Sequence, residues 1–173
     1  DLKPENVIKT PAGVVKILDF GVARADNLTP TRLTQTGTIL GTPAYMAPEQ
    51  AQGQDTDFRT DLFSFGVLVY EMASGMNPFE APTVAATMAR ILETDPAALS
   101  DVCAAGAPRL DRIVATCLRK DPLERYKSTQ EVVVDLERLQ TELYEHRRAA
   151  SLRGSGTSSR VHKVQRLKPR WWW

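Results

Sequence analysis

The first 21 residues, DLKPENVIKTPAGVVKILDFG, contain side chains whose types and spacing suit the transfer of a phosphoryl group. Asp1, Lys3 and Asn6 lie within one short polar segment, and Asp19 follows thirteen residues after Asn6. Carboxylate and amide oxygens are ligands that Mg²⁺ accepts, while water and phosphate complete its shell. A further acid and a lysine offer a base for a hydroxyl and a positive charge for the migrating group, which that reaction needs.

These side chains come together only if the chain between them folds back. Val7-Ile8 and Val14 to Leu18 are short apolar runs, and the turn-forming residues Thr10 to Gly13 separate them. This order predicts a loop, a strand, a tight turn, a second strand and a loop. Such a hairpin places Asn6 and Asp19 at the same end.

The segment resembles the catalytic loop and the DFG motif of eukaryotic-type serine/threonine protein kinases of the bacterial kind. Asp1 matches the Asp of the H-R-D pattern, so the preceding His and Arg are expected to lie outside this chain. The resemblance implies that Asp1 accepts the proton of the substrate hydroxyl and that Lys3, in the form DLKPEN, steadies the transferred phosphate. It also implies that ATP is the donor and that Asn6 and Asp19 hold Mg²⁺, or Mn²⁺.

The resemblance gives three neighbouring residues supporting positions. Ile8 contributes to the surface under the adenine, Phe20 packs beneath the small lobe, and Gly21 completes the DFG motif. The glycine-rich loop, the strand lysine and its partner glutamate do not occur in the sequence. The implied fold is therefore mainly α: the large, C-terminal lobe of a protein kinase with a short β-hairpin at its start and the small lobe absent. The parent protein is expected to phosphorylate Ser and Thr, and this chain alone to be nearly inactive.

Residues 22–42 are polar and include six threonines from position 29 onward. Such a segment cannot order itself by burial. By the resemblance it is the activation segment, which ends in the APE motif at Glu49. Thr34 and Thr36 are the expected phosphorylation sites, because phosphate adds up to two negative charges that can order the segment against cations. Thr42 is expected to position the substrate.

The stretch TDLFSFGVLVYEMASG predicts a helix from about Asp61 to Ser74, capped by Thr60 and ended by Gly75. Apolar residues surround this helix, which indicates that it is buried. By the resemblance, Asp61 is the buried aspartate that anchors the catalytic loop.

Three more helices follow from apolar spacing. They cover 83–93, the stretch after Pro108, and an amphipathic segment that starts at a capping box of Ser128 and Glu131. The last of these is expected to close the lobe with an inward face of Val132, Leu136, Leu139 and Leu143.

Arg125, in the motif DPLERY, matches the family's arginine that reaches back to the APE glutamate. Glu49 and Arg125 are therefore a predicted buried ion pair, and both are expected to support the site.

The net charge of +1 hides an asymmetry along the chain. Residues 1–146 carry 14 basic and 21 acidic groups, whereas 147–173 carry eight basic groups, no acidic group and three terminal tryptophans. We assign 1–146 to the kinase lobe and 147–173 to a basic disordered linker or juxtamembrane segment. Basic residues and Trp gather at the cytoplasmic membrane interface, so the tail favours a cytoplasmic kinase domain in a single-pass membrane protein. A linker to another soluble domain is the alternative.

Two other classes of function stay open on the sequence. A kinase-like regulatory or scaffolding module binds partners without transferring phosphate, although all the motif residues named above are present. A nucleic-acid binder built on the tail is disfavoured because the first 146 residues are acidic. Protein substrates are the expected partners, and a kinase homodimer is one route to phosphorylation of the activation segment. Cys103 and Cys117 lack metal or redox spacing, which indicates reduced thiols.

Overall fold

A β-hairpin and a set of helices make up the described residues of this computed structural model, which are 2–18, 43–103 and 108–154, with backbone alone for 152–154. The strands are β1 (Val7–Lys9) and β2 (Val15–Ile17), and 3₁₀ helices cover Pro4–Asn6, Pro43–Tyr45 and Pro122–Glu124. The α-helices in these ranges are α1 (Pro48–Ala51), α2 (Phe58–Ser74), α3 (Val84–Glu93), α4 (Leu99–Val102), α5 (Pro108–Cys117) and α6 (Thr129–Gly154). The fold is mainly helical with a short leading hairpin, as the sequence predicts.

The hairpin forms as predicted. Its strands are antiparallel, and the residues opposite one another are Val7 and Ile17, Ile8 and Lys16, and Lys9 and Val15. Gly13 closes the turn with φ of 82°, a left-handed conformation that glycine adopts without steric cost. At the open end, the backbone N–H of Leu18 donates to the carbonyl oxygen of Asn6 at 2.7 Å. The chain that leads to Asp19 therefore lies beside Asn6.

Helix α2 starts earlier than the sequence suggests and has a different cap. The Asp57 carboxylate accepts a hydrogen bond from the Arg59 N–H at 2.8 Å, so the predicted cap at Thr60 is wrong. Gly75 ends the helix with φ of 78°, as predicted. The prediction of a buried helix is confirmed for its central turns, whose buried apolar residues are Leu62, Phe63, Val67, Leu68 and Tyr70. Near the C-terminal end, Met72 is exposed.

The core consists of two clusters that share α2. One joins α2 to α3, α4 and the 3₁₀ helix at 43–45, and its large members include Phe63, Val67, Phe79, Ile91 and Leu99. The other joins α2 to α5 and α6 through Leu62, Ile113, Cys117, Tyr126, Val132 and Leu139. Because both clusters pack on α2, this helix positions α3, α4, α5 and α6 around it.

Helices α3 and α5 lie where the apolar spacing places them. Thr83 caps α3, because its hydroxyl accepts a hydrogen bond from the Ala86 N–H at 3.2 Å. Helix α5 ends at Cys117, so Arg119 and Lys120 follow the helix rather than form its last turn. Cys103 and Cys117 are free, and burial raises the pKa of the Cys117 thiol to about 12.

Helix α6 departs from the sequence prediction at both ends. Ser128 accepts a hydrogen bond from the Glu131 N–H, but the Glu131 carboxylate accepts from Lys127 rather than from Ser128. The helix continues through Gly154, eight residues past the expected end of the lobe at His146. Leu143 is 44% exposed, so the prediction that it faces inward is wrong. Across 2–18, 43–103 and 108–154, no helix combines the length and apolarity needed to span a membrane.

Candidate active site and the network that supports it

Lys3, Asn6 and Ile8 are the described members of the predicted catalytic and cofactor-binding set. The other predicted residues of the catalytic loop, DFG motif and activation segment lie outside the described residues: Asp1, Asp19, Phe20, Gly21, Thr34, Thr36 and Thr42. The structure therefore describes one side of the predicted site. Their chemical roles stay predictions.

The described side of the site is the loop that leads into β1. Asn6 ends the 3₁₀ helix Pro4–Asn6, and its N–H donates to the Lys3 carbonyl at 3.0 Å. Lys3 and Asn6 are partly buried, whereas Ile8 is 44% exposed. The bond from Leu18 to the Asn6 carbonyl brings the chain before Asp19 to this point. An amide oxygen and a carboxylate fit Mg²⁺ as a donor pair, so Asn6 and Asp19 are the residues that could hold it.

The ion pair predicted between Glu49 and Arg125 is present and buried. The Arg125 guanidinium donates to Glu49 Oε1 at 2.7 Å and to Oε2 at 2.8 Å, and the two side chains are 3% exposed or less. Such two-pronged geometry is stronger and more directional than a single charged hydrogen bond. The pair ties α1 to the loop before α6 and holds the end of the predicted activation segment.

The pKa of Glu49 reflects opposing effects. Burial raises it, but hydrogen bonds from Arg125 and Thr60 and the charge of Arg125 outweigh burial, so the pKa lies below its ordinary value. Thr60 contributes through its hydroxyl, which donates to Glu49 Oε1 at 2.9 Å. Glu49 is therefore held as a carboxylate at neutral pH.

Sequence reasoning missed a polar face of α2 that binds the segment 43–51. Thr60 contacts Glu49, the Ser64 hydroxyl donates to the Tyr45 carbonyl at 2.8 Å, and the Tyr45 hydroxyl donates to Glu71. Burial, together with the bond to Glu71, raises the pKa of Tyr45. Spacings of four and seven residues put Thr60, Ser64 and Glu71 on one face of a helix. The sequence did contain a signal for this face, because polar residues recur at this spacing in an otherwise apolar helix.

Of the three described supporting residues, Glu49, Asp61 and Arg125, Asp61 is the one whose surroundings differ from the prediction. It lies in the first turn of α2 and is exposed, so the expectation of a buried aspartate is wrong. Residues 62–64, which follow it, are buried instead. Its role in anchoring the catalytic loop stays a prediction.

Comparison with known proteins places the chain in a family. A family model described as "Protein kinase domain" matches residues 1–135. The chain is 37% identical over 150 residues to the probable serine/threonine-protein kinase PknB of Corynebacterium glutamicum, covering 84% of this chain and 23% of that protein. It is 41% identical over 137 residues to the probable serine/threonine-protein kinase SCO3848 of Streptomyces coelicolor, covering 79% of this chain and 20% of that protein.

A further relative is the serine/threonine-protein kinase PknL of Mycobacterium tuberculosis (strain H37Rv), 38% identical over 143 residues, which are 83% of this chain and 35% of that protein. The chain belongs to the protein kinase family. Its helical body behind a short hairpin is the C-terminal lobe portion of that domain, as predicted. The chain spans about a fifth to a third of the length of these curated relatives.

Proposed function

We propose that the protein containing this chain transfers the γ-phosphate of ATP to serine and threonine hydroxyls of proteins. The observation that carries this proposal is the loop of residues 2–6, part of the motif DLKPEN, at the open end of the hairpin, with the Leu18 N–H bonded to the Asn6 carbonyl, in a chain of the protein kinase family. The relatives named above as serine/threonine-protein kinases support the choice of acceptor.

Each residue of the site has a distinct part in the proposed reaction. Asp1 accepts the proton of the acceptor hydroxyl, and Lys3 balances charge on the transferred group. Asn6 and Asp19 hold the divalent cation through oxygen atoms, while Ile8 contributes an apolar surface for the nucleotide base. ATP with Mg²⁺ supplies the phosphoryl group and neutralises its charge.

The segment from Thr42 to Glu49 is proposed to receive the protein substrate. It is anchored at its far end by Arg125 and Thr60, which gives the substrate a fixed surface. Thr34 and Thr36 are the proposed phosphorylation sites, with a second copy of the kinase as the enzyme that transfers phosphate from ATP to them. Membrane attachment beyond the basic tail is a proposal that follows from residues 147–173.

Substitutions at Lys3 and Asn6 test this function in the full-length parent protein. We expect Lys3→Ala to lower kcat about 100-fold or more, because a preorganised positive charge at the reacting group is lost. We expect Asn6→Ala to raise the Mg²⁺ concentration needed for half-maximal activity. The measurement is transfer of labelled phosphate from ATP to a general protein substrate over a range of Mg²⁺ concentrations.

Lys9→Ala is the matched control, since Lys9 is an exposed lysine on β1 with no proposed part in the reaction. Wild-type kinetics for Lys3→Ala, or an effect of equal size for Lys9→Ala, would contradict the assignment. Absence of phosphate transfer by the intact parent protein would reject the function itself.

A further inference from the structure

Two buried phenylalanines and two cations form a cluster next to the ion pair. The rings of Phe63 and Phe79 are stacked, with centroids 5.5 Å apart and planes 13° from parallel. The ammonium of Lys120 lies 4.3 Å from the Phe79 centroid and 5.7 Å from that of Phe63, and the Arg125 guanidinium lies 5.0 Å from the latter. All three distances are within the range of cation–π attraction. We call these four residues the ring–cation cluster.

Lys120 links this cluster to the end of α3. Its ammonium donates to the Ile91 carbonyl at 2.7 Å. Ile91 is in the last turn of α3, where carbonyl groups lack partners within the helix and carry partial negative charge. The ammonium therefore satisfies a helix-end acceptor and contacts Phe79 at the same time.

The backbone carbonyl of Lys120 also helps to orient the Arg125 guanidinium. The guanidinium donates to the carbonyls of Lys120 at 3.2 Å, Arg119 at 2.8 Å and Arg59 at 2.8 Å. These contacts turn its remaining donors toward Glu49. Lys120 thus touches the helix α3 through its side chain and the Glu49–Arg125 pair through its carbonyl oxygen.

Helix α3 and the Glu49–Arg125 pair, which Lys120 joins, both contact the segment 43–51. Helix α3 packs against the 3₁₀ helix Pro43–Tyr45 and against α1, and Arg125 holds Glu49 in α1. We propose that Lys120 is a positioning residue for the protein substrate, because its ammonium fixes α3 relative to the Glu49–Arg125 pair and so sets the shape of segment 43–51. This inference rests on the proposed function and deepens it.

The pKa of the Lys120 ammonium is low enough for its charge to change within the pH range of an activity assay. Burial lowers its pKa to about 8, Asp95 in the loop after α3 opposes that shift, and the positive charge of Arg125 adds to it. Among the described residues, Asp95 and Arg125 are the charged groups that bear on this ammonium, beside the Ile91 carbonyl and the two rings. Loss of its proton removes the cation–π contact and the charged hydrogen bond to Ile91. Substrate binding is then expected to weaken as the pH rises through about 8.

The test compares Lys120→Arg, Lys120→Met and wild type in the full-length parent protein. Arginine stays charged at every pH used, whereas methionine is never charged. We expect the KM for protein substrate to rise about fivefold in Lys120→Met at pH 7, with kcat and the KM for ATP nearly unchanged. In wild type the same KM rises across pH 7 to 9, and in Lys120→Arg it stays flat. Lys127→Met, at an exposed lysine, is the control.

A second readout needs no activity. The methyl resonances of Ala44 and Ala47, both buried in segment 43–51, are followed by NMR from pH 6.5 to 9.5. We expect them to titrate near pH 8 in wild type and not in Lys120→Arg. Equal titration in both proteins, or an unchanged substrate KM in Lys120→Met, would overturn the inference. A wild type that transfers no phosphate but shows the Lys120-dependent titration would reject the function and leave the coupling standing.

Discussion

Arg125 uses every donor of its guanidinium group. That group has five N–H bonds, and the structure shows five hydrogen bonds: two to Glu49 and one each to the carbonyls of Arg59, Arg119 and Lys120. Lysine offers a single charged nitrogen and cannot reproduce this geometry. The residue therefore fixes three separate backbone positions around one buried carboxylate.

Removal of this side chain is expected to be costly. We expect Arg125→Ala to lower the free energy of unfolding by about 3 to 5 kcal/mol, because Glu49 is left charged and buried without its partner. Arg125→Lys should recover little of that loss. Urea unfolding of the 173-residue chain measures both variants.

The matched control is Arg138→Ala, which removes a surface ion pair with Asp135 at 3.4 Å from a side chain that is 64% exposed. Exposed pairs contribute about 0 to 1 kcal/mol, so this variant should unfold almost as wild type does. Similar losses for Arg125→Ala and Arg138→Ala would mean that the buried pair has no special weight.

At the scale of single residues, a contact could be predicted where both partners belong to a motif. Glu49 and Arg125 lie 76 positions apart, and their pairing could be predicted because each belongs to a recognisable motif. Thr60 was assigned to the cap because the sequence does not say where α2 begins, and moving the start to Asp57 turns Thr60 toward Glu49. Asp61 was expected to be buried because the resemblance matched its residue type and position. A match of that kind does not determine how exposed the side chain is.

Helix α2 approaches α5 closely at a glycine. A Cβ atom at Gly66 would lie 2.7 Å from the Cβ of Cys117 and 2.9 Å from Leu118 Cδ2. Contacts that short force the helices apart or strain the side chains. Glycine in mid-helix lowers helix propensity, so its presence at this position has a packing reason.

We expect Gly66→Ala to destabilise the chain by about 1 to 3 kcal/mol despite the better helix propensity of alanine. Gly75→Ala is the control, because a Cβ there meets nothing within 4 Å and its cost comes from the positive φ alone. The additional substitution Leu118→Ala should recover part of the stability lost in Gly66→Ala, but not all of it, because the Cβ of Cys117 stays in place. It should recover none of the stability lost in Gly75→Ala. Urea unfolding is measured for wild type, Gly66→Ala and Gly75→Ala, each with and without Leu118→Ala. These six proteins would show no coupling between Gly66 and Leu118 if the close approach were unimportant.

Element types were predictable from periodicity, but their ends were not. The hairpin and the buried α2 follow from local turn residues and apolar pattern. The continuation of α6 to Gly154 was missed because Ser and Gly suggested a linker, whereas RRAASLR is rich in residues that favour helix. The close packing at Gly66 was beyond the reach of sequence, since it depends on which helix lies opposite.

At the scale of the whole molecule, the hairpin presents an uncovered apolar surface. Five of its six large apolar residues are between 44% and 60% exposed, and Val7 is partly buried: the five are Ile8, Val14, Val15, Ile17 and Leu18. A two-stranded hairpin is marginally stable by itself, and its strands have open edges. The absence of small-lobe motifs from the sequence agrees with such a surface, but which residues form it depends on how the hairpin folds.

We expect the 173-residue chain to self-associate through this surface as its concentration rises. Val15→Glu should reduce the effect, because it removes apolar area and places a carboxylate opposite Lys9 on the neighbouring strand. Light scattering after gel filtration measures the mass at several concentrations. Leu123→Glu is the control, since Leu123 is 74% exposed but lies in the 3₁₀ helix Pro122–Glu124. An equal reduction by both variants would show that general apolarity, and not the hairpin, causes association.

The length of α6 has a mechanical consequence. Its 26 residues correspond to a rod of about 39 Å, and Arg109 at the start of α5 clamps it through Glu142 at 2.6 Å. Past that clamp, residues 143–151 of the helix are exposed. A rod transmits torque where a flexible tether would dissipate it. The lobe therefore orients this exposed part of α6, and a rotation of one is passed to the other through Glu142 and Arg109.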